Sequence, residues 1–198
     1  MQITTYQLQT RDGVRVLQLA SADDTNRLTR VCVLELSTAI RELARNAWPL
    51  IITGNSKFFS AGADLQEIAA LTGGEALEFS RAGQELMHLI AGFPAPVCAA
   101  IHGYCMGGGL DLALACHYRA ASPHAVFGHR GAALGLITGW GGTQRLPRLI
   151  GKARALQMFV GAEKVNAAEA LRSGLVDTVA EDTVGWAAAK LKQLALSI

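Results

Sequence analysis

The amino-acid sequence predicts an α/β domain, and three observations carry that prediction. Short apolar runs of strand character alternate with longer segments whose apolar residues recur at helical spacing. Turn-forming residues punctuate the joins, as at Arg11-Asp12-Gly13, at Gly92 and Pro94, and through Gly135 to Gly142. No repeat of fixed period is visible along the chain.

In chain order, Ile3 to Gln9 and Val14 to Ala20 read as two short strands joined by the Asp-Gly turn signal, hence a hairpin. From Thr29 to Arg45, Val33, Leu36, Ile40 and Leu43 recur at helical spacing between Arg41, Glu42 and Arg45, which marks an amphipathic helix. Leu50 to Gly54 reads as a buried strand. A second helix spans roughly Gly74 to Ala91 and stops at Gly92 and Pro94, and Pro96 to Ile101 is the next buried strand. Helix resumes from about Gly107. Tyr118 to Ser122 and Ala125 to Gly128 are further strands, followed after the glycine-rich stretch by short helices to about Arg172. The chain closes with a strand-like Leu175 to Val179 and an amphipathic helix from about Asp182.

A chain of 198 residues with 51% apolar and 17% charged residues supports one packed domain spanning 1–198. Its net charge is +2 and its 18 Lys and Arg residues are scattered, which argues against nucleic acid as the main partner. The start Met1-Gln2-Ile3-Thr4-Thr5-Tyr6 lacks the basic and apolar stretches of a signal peptide. Pro94 to Cys116, the most apolar region, is interrupted by His102, glycines and Asp111 and is too broken for a membrane span. A cytoplasmic protein without membrane partners is expected. Cys32, Cys98, Cys105 and Cys116 show no paired spacing and read as buried free thiols, and no cluster has zinc-site spacing, so no metal is expected.

Two glycine-bearing segments carry the chemistry: Phe58-Phe59-Ser60-Ala61-Gly62-Ala63-Asp64-Leu65 and Gly103-Tyr104-Cys105-Met106-Gly107-Gly108-Gly109-Leu110-Asp111. Each sits where an apolar run ends and a helical pattern begins. The first N–H groups of a helix lack intrahelical partners, the dipole there is positive, and glycine allows close approach. Two such N–H groups converging on one oxygen would make an oxyanion hole.

The paired segments resemble the crotonase family, also called the enoyl-CoA hydratase/isomerase family, over about Val14 to Asp182. Asn26-Arg27-Leu28-Thr29, Gly141 to Arg148 and Ala170 to Asp177 match it as well. The resemblance implies a crotonase-type spiral of β-β-α units, assembled as a homo-oligomer, trimer or hexamer. It implies lyase or isomerase activity in fatty-acid metabolism on an acyl-CoA substrate, with no cofactor beyond the coenzyme A of that substrate. The N–H groups of Ala63 and Gly108 would hold the thioester oxygen as an enolate forms, and Ala61, Asp64 and Leu65 would contribute to the substrate site. Relatives commonly continue past the region of Asp182 with a further helical segment, whereas this sequence ends at Ile198 after one helix, so the fold is expected without the usual full C-terminal helical segment.

Hydratases of the family flank a water with two carboxylates. Here Asp111 matches the first position, and the second falls on Gly131; the further acid of dienoyl-CoA isomerases falls on Gly139. Asp111 is thus read as the sole acid/base, which favours double-bond isomerisation over efficient hydration. His129 is weighed as a substitute, because it titrates near neutrality. In an extended strand it would share the face of Gly131 but stand roughly 7 Å along it, and the alternative is a hydrogen-bonded histidine near the surface. Two further readings remain at this point: an acyl-CoA-binding protein with little catalysis, made plausible by Gly131 and Gly139, and a hydrolase whose nucleophile is Cys105 in a Gly-x-Cys-x-Gly elbow followed by Asp111 and His129. Trp140 reads as packing or as acyl-pocket wall. Arg145, Arg148, Lys152 and Arg154 read as a face for coenzyme A phosphates or an adjacent subunit, or as a solvated basic face.

Overall fold

The computed structural model describes residues 5–11 and 13–195. Ile3 and Thr4 of the expected first strand, and Asp12 of its turn, lie outside the described residues. β1 (Tyr6–Arg11) and β2 (Val14–Leu19) form the expected antiparallel hairpin, in register from Tyr6 opposite Leu19 to Arg11 opposite Val14. β3 (Arg27–Leu28) leads into α1 (Arg30–Ala44), whose N-cap Thr29 accepts the Cys32 N–H at 3.1 Å and whose buried stripe is Val33, Leu36, Ile40 and Leu43.

From there the chain repeats one unit. A strand enters a large sheet, a second strand enters a smaller sheet, and a helix follows. The first turn is β4 (Leu50–Thr53), β5 (Phe58–Ser60) with the short β6 (Gly62–Ala63), then α2 (Leu65–Ala70) and α3 (Gly73–Ala91). The second is β7 (Val97–Ile101), β8 (Tyr104–Met106) and α4 (Gly108–Ala115). The third is β9 (Tyr118–Ala121), β10 (Val126–Gly128), a 3-10 turn over Gly131–Leu134, then α5 (Gly142–Ile150) and α6 (Lys152–Val160). β11 (Val165–Asn166), α7 (Ala167–Ser173), β12 (Thr178–Val179) and α8 (Thr183–Ala195) close the domain.

The consequence is two sheets built in step. The large one has the order β1-β2-β4-β7-β9-β12 and the small one β11-β10-β8-β5, with β4, β7 and β9 mutually parallel and β5, β8 and β10 likewise. This is the spiral of β-β-α units expected from the sequence. The large sheet is covered on both faces. Ile51, Cys98, Ala100 and Ala120 pack with Ala187 and Leu191 of α8, whereas Leu50, Ile52, Val97, Ala99 and Ile101 belong to the main core under α1 and α3. Period-two alternation within fully buried strands explains why both sets are apolar.

Two expectations are corrected. The strand expected from Leu175 is confined to Thr178–Val179, because Gly174 (φ 78°) ends α7 and the N–H groups of Leu175 and Val176 turn back to the Ala170 carbonyl at 2.8 and 3.3 Å. The chain also leaves extended geometry after Gly128, so His129 and Gly131 do not share a strand face. Among the described residues no helix is long and apolar enough to cross a membrane.

Candidate active site

Three neighbouring parallel strands of the small sheet, β5, β8 and β10, deliver the site residues from their C-terminal ends, the end at which parallel α/β sheets open toward ligands. Ala61-Gly62-Ala63 follows β5, Gly107-Gly108 follows β8, and His129 follows β10.

The first segment is held by a chain of buried polar contacts. Asn26 donates through Nδ2 to the carbonyls of Phe58 and Phe59 at 2.9 and 3.2 Å; the Ser60 hydroxyl donates to the Asn26 carbonyl at 2.7 Å and accepts the Gly62 N–H at 3.1 Å. Gly62 has φ +94°, and a Cβ there would stand 2.6 Å from the Met106 carbonyl oxygen and 3.1 Å from the Gly108 nitrogen. A Cβ at Gly108 would in turn stand 3.4 Å from the Ala63 nitrogen. The two amides named from the sequence are therefore brought side by side across bare backbone. Gly107 gives its N–H to the Gly128 carbonyl at 2.9 Å, so Gly108 is the first residue of α4 whose N–H the helix leaves for a ligand.

Asp111 lies one turn along α4 and is 1% exposed. Burial pushes its carboxyl up from 3.8 to about 7, against the opposing pull of a Thr138 hydroxyl donated to Oδ2, the Arg145 charge and the N–H groups of Trp140 and Gly142. At neutral pH such a carboxyl is divided between acid and base forms, which suits proton transfer. His129, expected either near the surface or displaced along a strand, is instead 4% exposed with Nε2 3.4 Å from Asp111 Oδ1. Burial lowers its imidazole from 6.5 to about 4.

A cavity of ≈ 400 Å³ opens on these groups, within the range of small-molecule sites. Ala61, Gly62, Ala63 and Leu65 form one wall, and Gly107, Gly108, Asp111 and His129 another. The rest is apolar: Phe79, Leu134, Leu136, Ile137, Trp140 and Phe159 are among its lining residues. Asp111 is the only carboxylate among them, and both Gly131 and Gly139 sit in the wall without a side chain. Trp140 is cavity wall and packing at once, edge-on to Phe79 at 5.2 Å between ring centres.

Asp64 is turned elsewhere. It caps α2 by accepting the Gln66 and Glu67 N–H groups at 2.8 and 3.2 Å and pairs with Arg27 at 3.2 Å. Cys105 is fully buried in the core, and its burial raises the thiol well above the ordinary range, so it is no exposed nucleophile. The four cysteines are free and buried, as expected. Of the basic residues expected as a face, Arg154 pairs with Glu163 and Glu169, Arg145 donates to the carbonyls of Trp140 and Met87, Arg148 donates to the Gln144 carbonyl of its own helix, and Arg148 and Lys152 are exposed. Among the described residues no group of three or more His, Cys, Asp or Glu side chains is placed to hold a metal ion. Reading the sequence missed Thr138 and Arg145 as neighbours of Asp111. A hydroxyl inside an otherwise glycine-rich apolar stretch was the signal available for Thr138.

Comparison with known proteins finds relatives along most of the chain. The family model for enoyl-CoA hydratase/isomerase matches residues 9–196. A probable enoyl-CoA hydratase of Bacillus subtilis (strain 168) is 44% identical over 160 residues, covering 79% of this chain and 62% of the relative. A crotonyl-CoA hydratase of Syntrophomonas wolfei is 40% identical over 179 residues, covering 88% of this chain and 68% of the relative. Among solved structures, Pseudomonas aeruginosa DspI superposes with a TM-score of 0.92 at 34% identity, covering 98% of this chain and 76% of that one. The chain thus spans less than two thirds of the length of the Bacillus subtilis relative.

Proposed function

This chain belongs to the enoyl-CoA hydratase/isomerase family, and from that premise we propose that it moves a proton on an acyl-CoA thioester through an enolate held by the N–H groups of Ala63 and Gly108. The observation that carries the reading is the meeting, in one apolar cavity, of these two backbone amides with a buried carboxyl that titrates near neutrality.

The chemistry follows from where charge develops. With the thioester oxygen between the two amides, Asp111 takes a proton from the carbon next to the carbonyl, the C–H electron pair moves into the acyl system, and the oxygen carries the resulting negative charge. Asp111 then returns a proton two carbons further along an unsaturated chain, and the double bond migrates. Each donor lost from such a hole raises the barrier by about 3–4 kcal/mol. One proton carrier completes this cycle, whereas water addition also needs a group to activate the water; the glycines at 131 and 139 supply none, which supports isomerisation over efficient hydration. Ala61 and Leu65 line the acyl site on this reading. It requires no cofactor beyond the coenzyme A of the substrate. Assembly into a homo-oligomer belongs to the same proposal, supported by Ile137 and Val160, 73% and 71% exposed beside the cavity.

The bare wall at Gly131 and Gly139 also favours a second reading, an acyl-CoA-binding protein with little turnover. Mass spectrometry of saturated, 2-enoyl, 3-enoyl and dienoyl-CoA esters incubated in heavy water separates the two. Deuterium entry or product formation that vanishes in Asp111→Asn is the expected result; esters that bind and never change would leave the binder.

A further inference from the structure

Asp111 Oδ1 and His129 Nε2 face each other at 3.4 Å, and neither atom has a hydrogen-bond partner. Gly142 packs directly on them: a Cβ at that position would overlap Oδ1 and stand 3.0 Å from Nε2. Phe159 of α6 covers the imidazole, with ring centres 5.1 Å apart. A buried polar atom left unsatisfied costs about 1–3 kcal/mol, and here two such atoms stand opposite each other. One proton placed between them satisfies both.

Imidazole is suited to this place because it answers both states of the carboxyl. When Asp111 is protonated, its O–H donates to a bare Nε2; when Asp111 is ionised, Nε2–H donates to Oδ1. We propose that His129 is the positioning and proton-relay partner of Asp111, taking over at Nε2 the proton that Asp111 removes from substrate and releasing the proton of its other ring nitrogen to water in the cavity. This rests on the reading that Asp111 carries the substrate proton. The step balances: the Oδ1–H bond breaks as the Nε2–H bond forms, Nδ1–H then gives its proton to water, and the imidazole ends neutral in its other tautomer. The intermediate, carboxylate beside imidazolium, has no more net charge than the acid beside neutral imidazole, so the dry surroundings penalise it less than a lone ion. His129 borders the cavity, which supplies the outlet. The charged and titratable groups around the pair are Arg145 from α5, Cys105 from β8 and Arg130 beside His129 in the chain.

A single sealed carboxyl hands the same proton back to the acyl chain, whereas a relay exchanges it with water. The test is therefore the fate of a deuterium placed on the carbon next to the thioester of a 3-enoyl-CoA, isomerised in light water. Wild type should lose most of the label to solvent; His129→Gln, which keeps an amide beside Asp111 but passes no proton, should carry severalfold more label into the 2-enoyl product. Equal retention in both overturns the relay and leaves the isomerase standing; no isomerisation or exchange by wild type fells the underlying reading, and the relay with it. Nitrogen-15 NMR of the His129 ring gives a readout independent of turnover and of the variant's folding. In wild type the proton should sit on Nδ1 between about pH 4 and 7 and on Nε2 above it, following Asp111, and should show no such switch in Asp111→Asn; a ring that keeps one tautomer throughout this range in wild type also overturns the proposal.

Discussion

Leu136 donates its N–H to the Gly131 carbonyl at 2.9 Å and lays its own carbonyl oxygen 2.7 Å from the point a Gly131 Cβ would occupy. The 3-10 turn over Gly131–Leu134 thus closes tightly upon itself, and the bare wall at 131 is enforced by backbone. Gly131→Glu should therefore fail to install a second carboxylate. The expected outcome is a loss of about 1–3 kcal/mol of stability, seen by denaturant titration, with no gain in water addition to 2-enoyl-CoA. A fully stable variant that hydrates faster would show that the turn opens at little cost.

A Cβ at Gly108 would meet the Trp140 ring, 2.5 Å from Cζ3 and 2.8 Å from Cε3. Gly108→Ala should shift either the ring or the amide, and misplacing that donor lowers turnover on the order of 10²- to 10³-fold. Trp140→Leu removes the ring the methyl meets. A double-mutant cycle on turnover should then show coupling of about 0.5–3 kcal/mol, with Gly108→Ala costing less when combined with Trp140→Leu than alone; additive losses would mean that the ring and the amide act independently.

Stability against pH should expose Asp111 and His129 as opposing contributions. Between 3.8 and about 7 the folded protein keeps a proton on Asp111 that the unfolded chain has released, so this group's stabilisation is full below pH 3.8 and is lost as pH rises through 7. His129 runs the other way. Its folded value is lowered to about 4, so its contribution is absent below that value and grows as pH rises to 6.5. Relative to wild type, Asp111→Asn should gain about 3 kcal/mol on going from pH 4 to 7, and His129→Gln should lose about 3 kcal/mol over pH 4 to 6.5. Urea titrations at each pH measure both differences. Differences that stay flat with pH would refute the burial-driven shifts.

Cys32, Cys98, Cys105 and Cys116 are all buried, and burial raises every one of their thiols, Cys32 and Cys98 to about 12. Alkylating reagents need the thiolate, so labelling of the native protein should be slow at all four positions and should accelerate together in denaturant. Selective, rapid labelling of Cys105 would revive the nucleophilic-elbow reading.

Much of this was legible in the sequence where a pattern repeats. α1 and α3 were visible because an apolar stripe persists over several turns, and β4 and β7 because their runs are wholly apolar. Ala63, Gly108 and Asp111 were singled out because the two glycine segments spell a recognisable motif, and all three line one cavity. β3 and β6 were missed: two residues carry no period, and the pairing of Arg27 with Gly62 and Leu28 with Ala63 is a long-range event. The place of His129 was misjudged for a related reason. Its position depends on where β10 stops, and nothing local in Phe127-Gly128-His129-Arg130 marks that end.

Ala63 and Gly108 follow β5 and β8, adjacent parallel strands in the small sheet, so the two amides are carried by main chain, with the Asn26 and Ser60 side chains fixing the first segment. On the proposed reading, the polarising half of the site therefore depends on main-chain atoms. The proton-handling half would instead rest on the side chains of Asp111 and His129, beside two positions, Gly131 and Gly139, that carry none. A scaffold divided in this way would let its proton chemistry change at Asp111 and His129 while the main chain proposed to hold the thioester stays as it is.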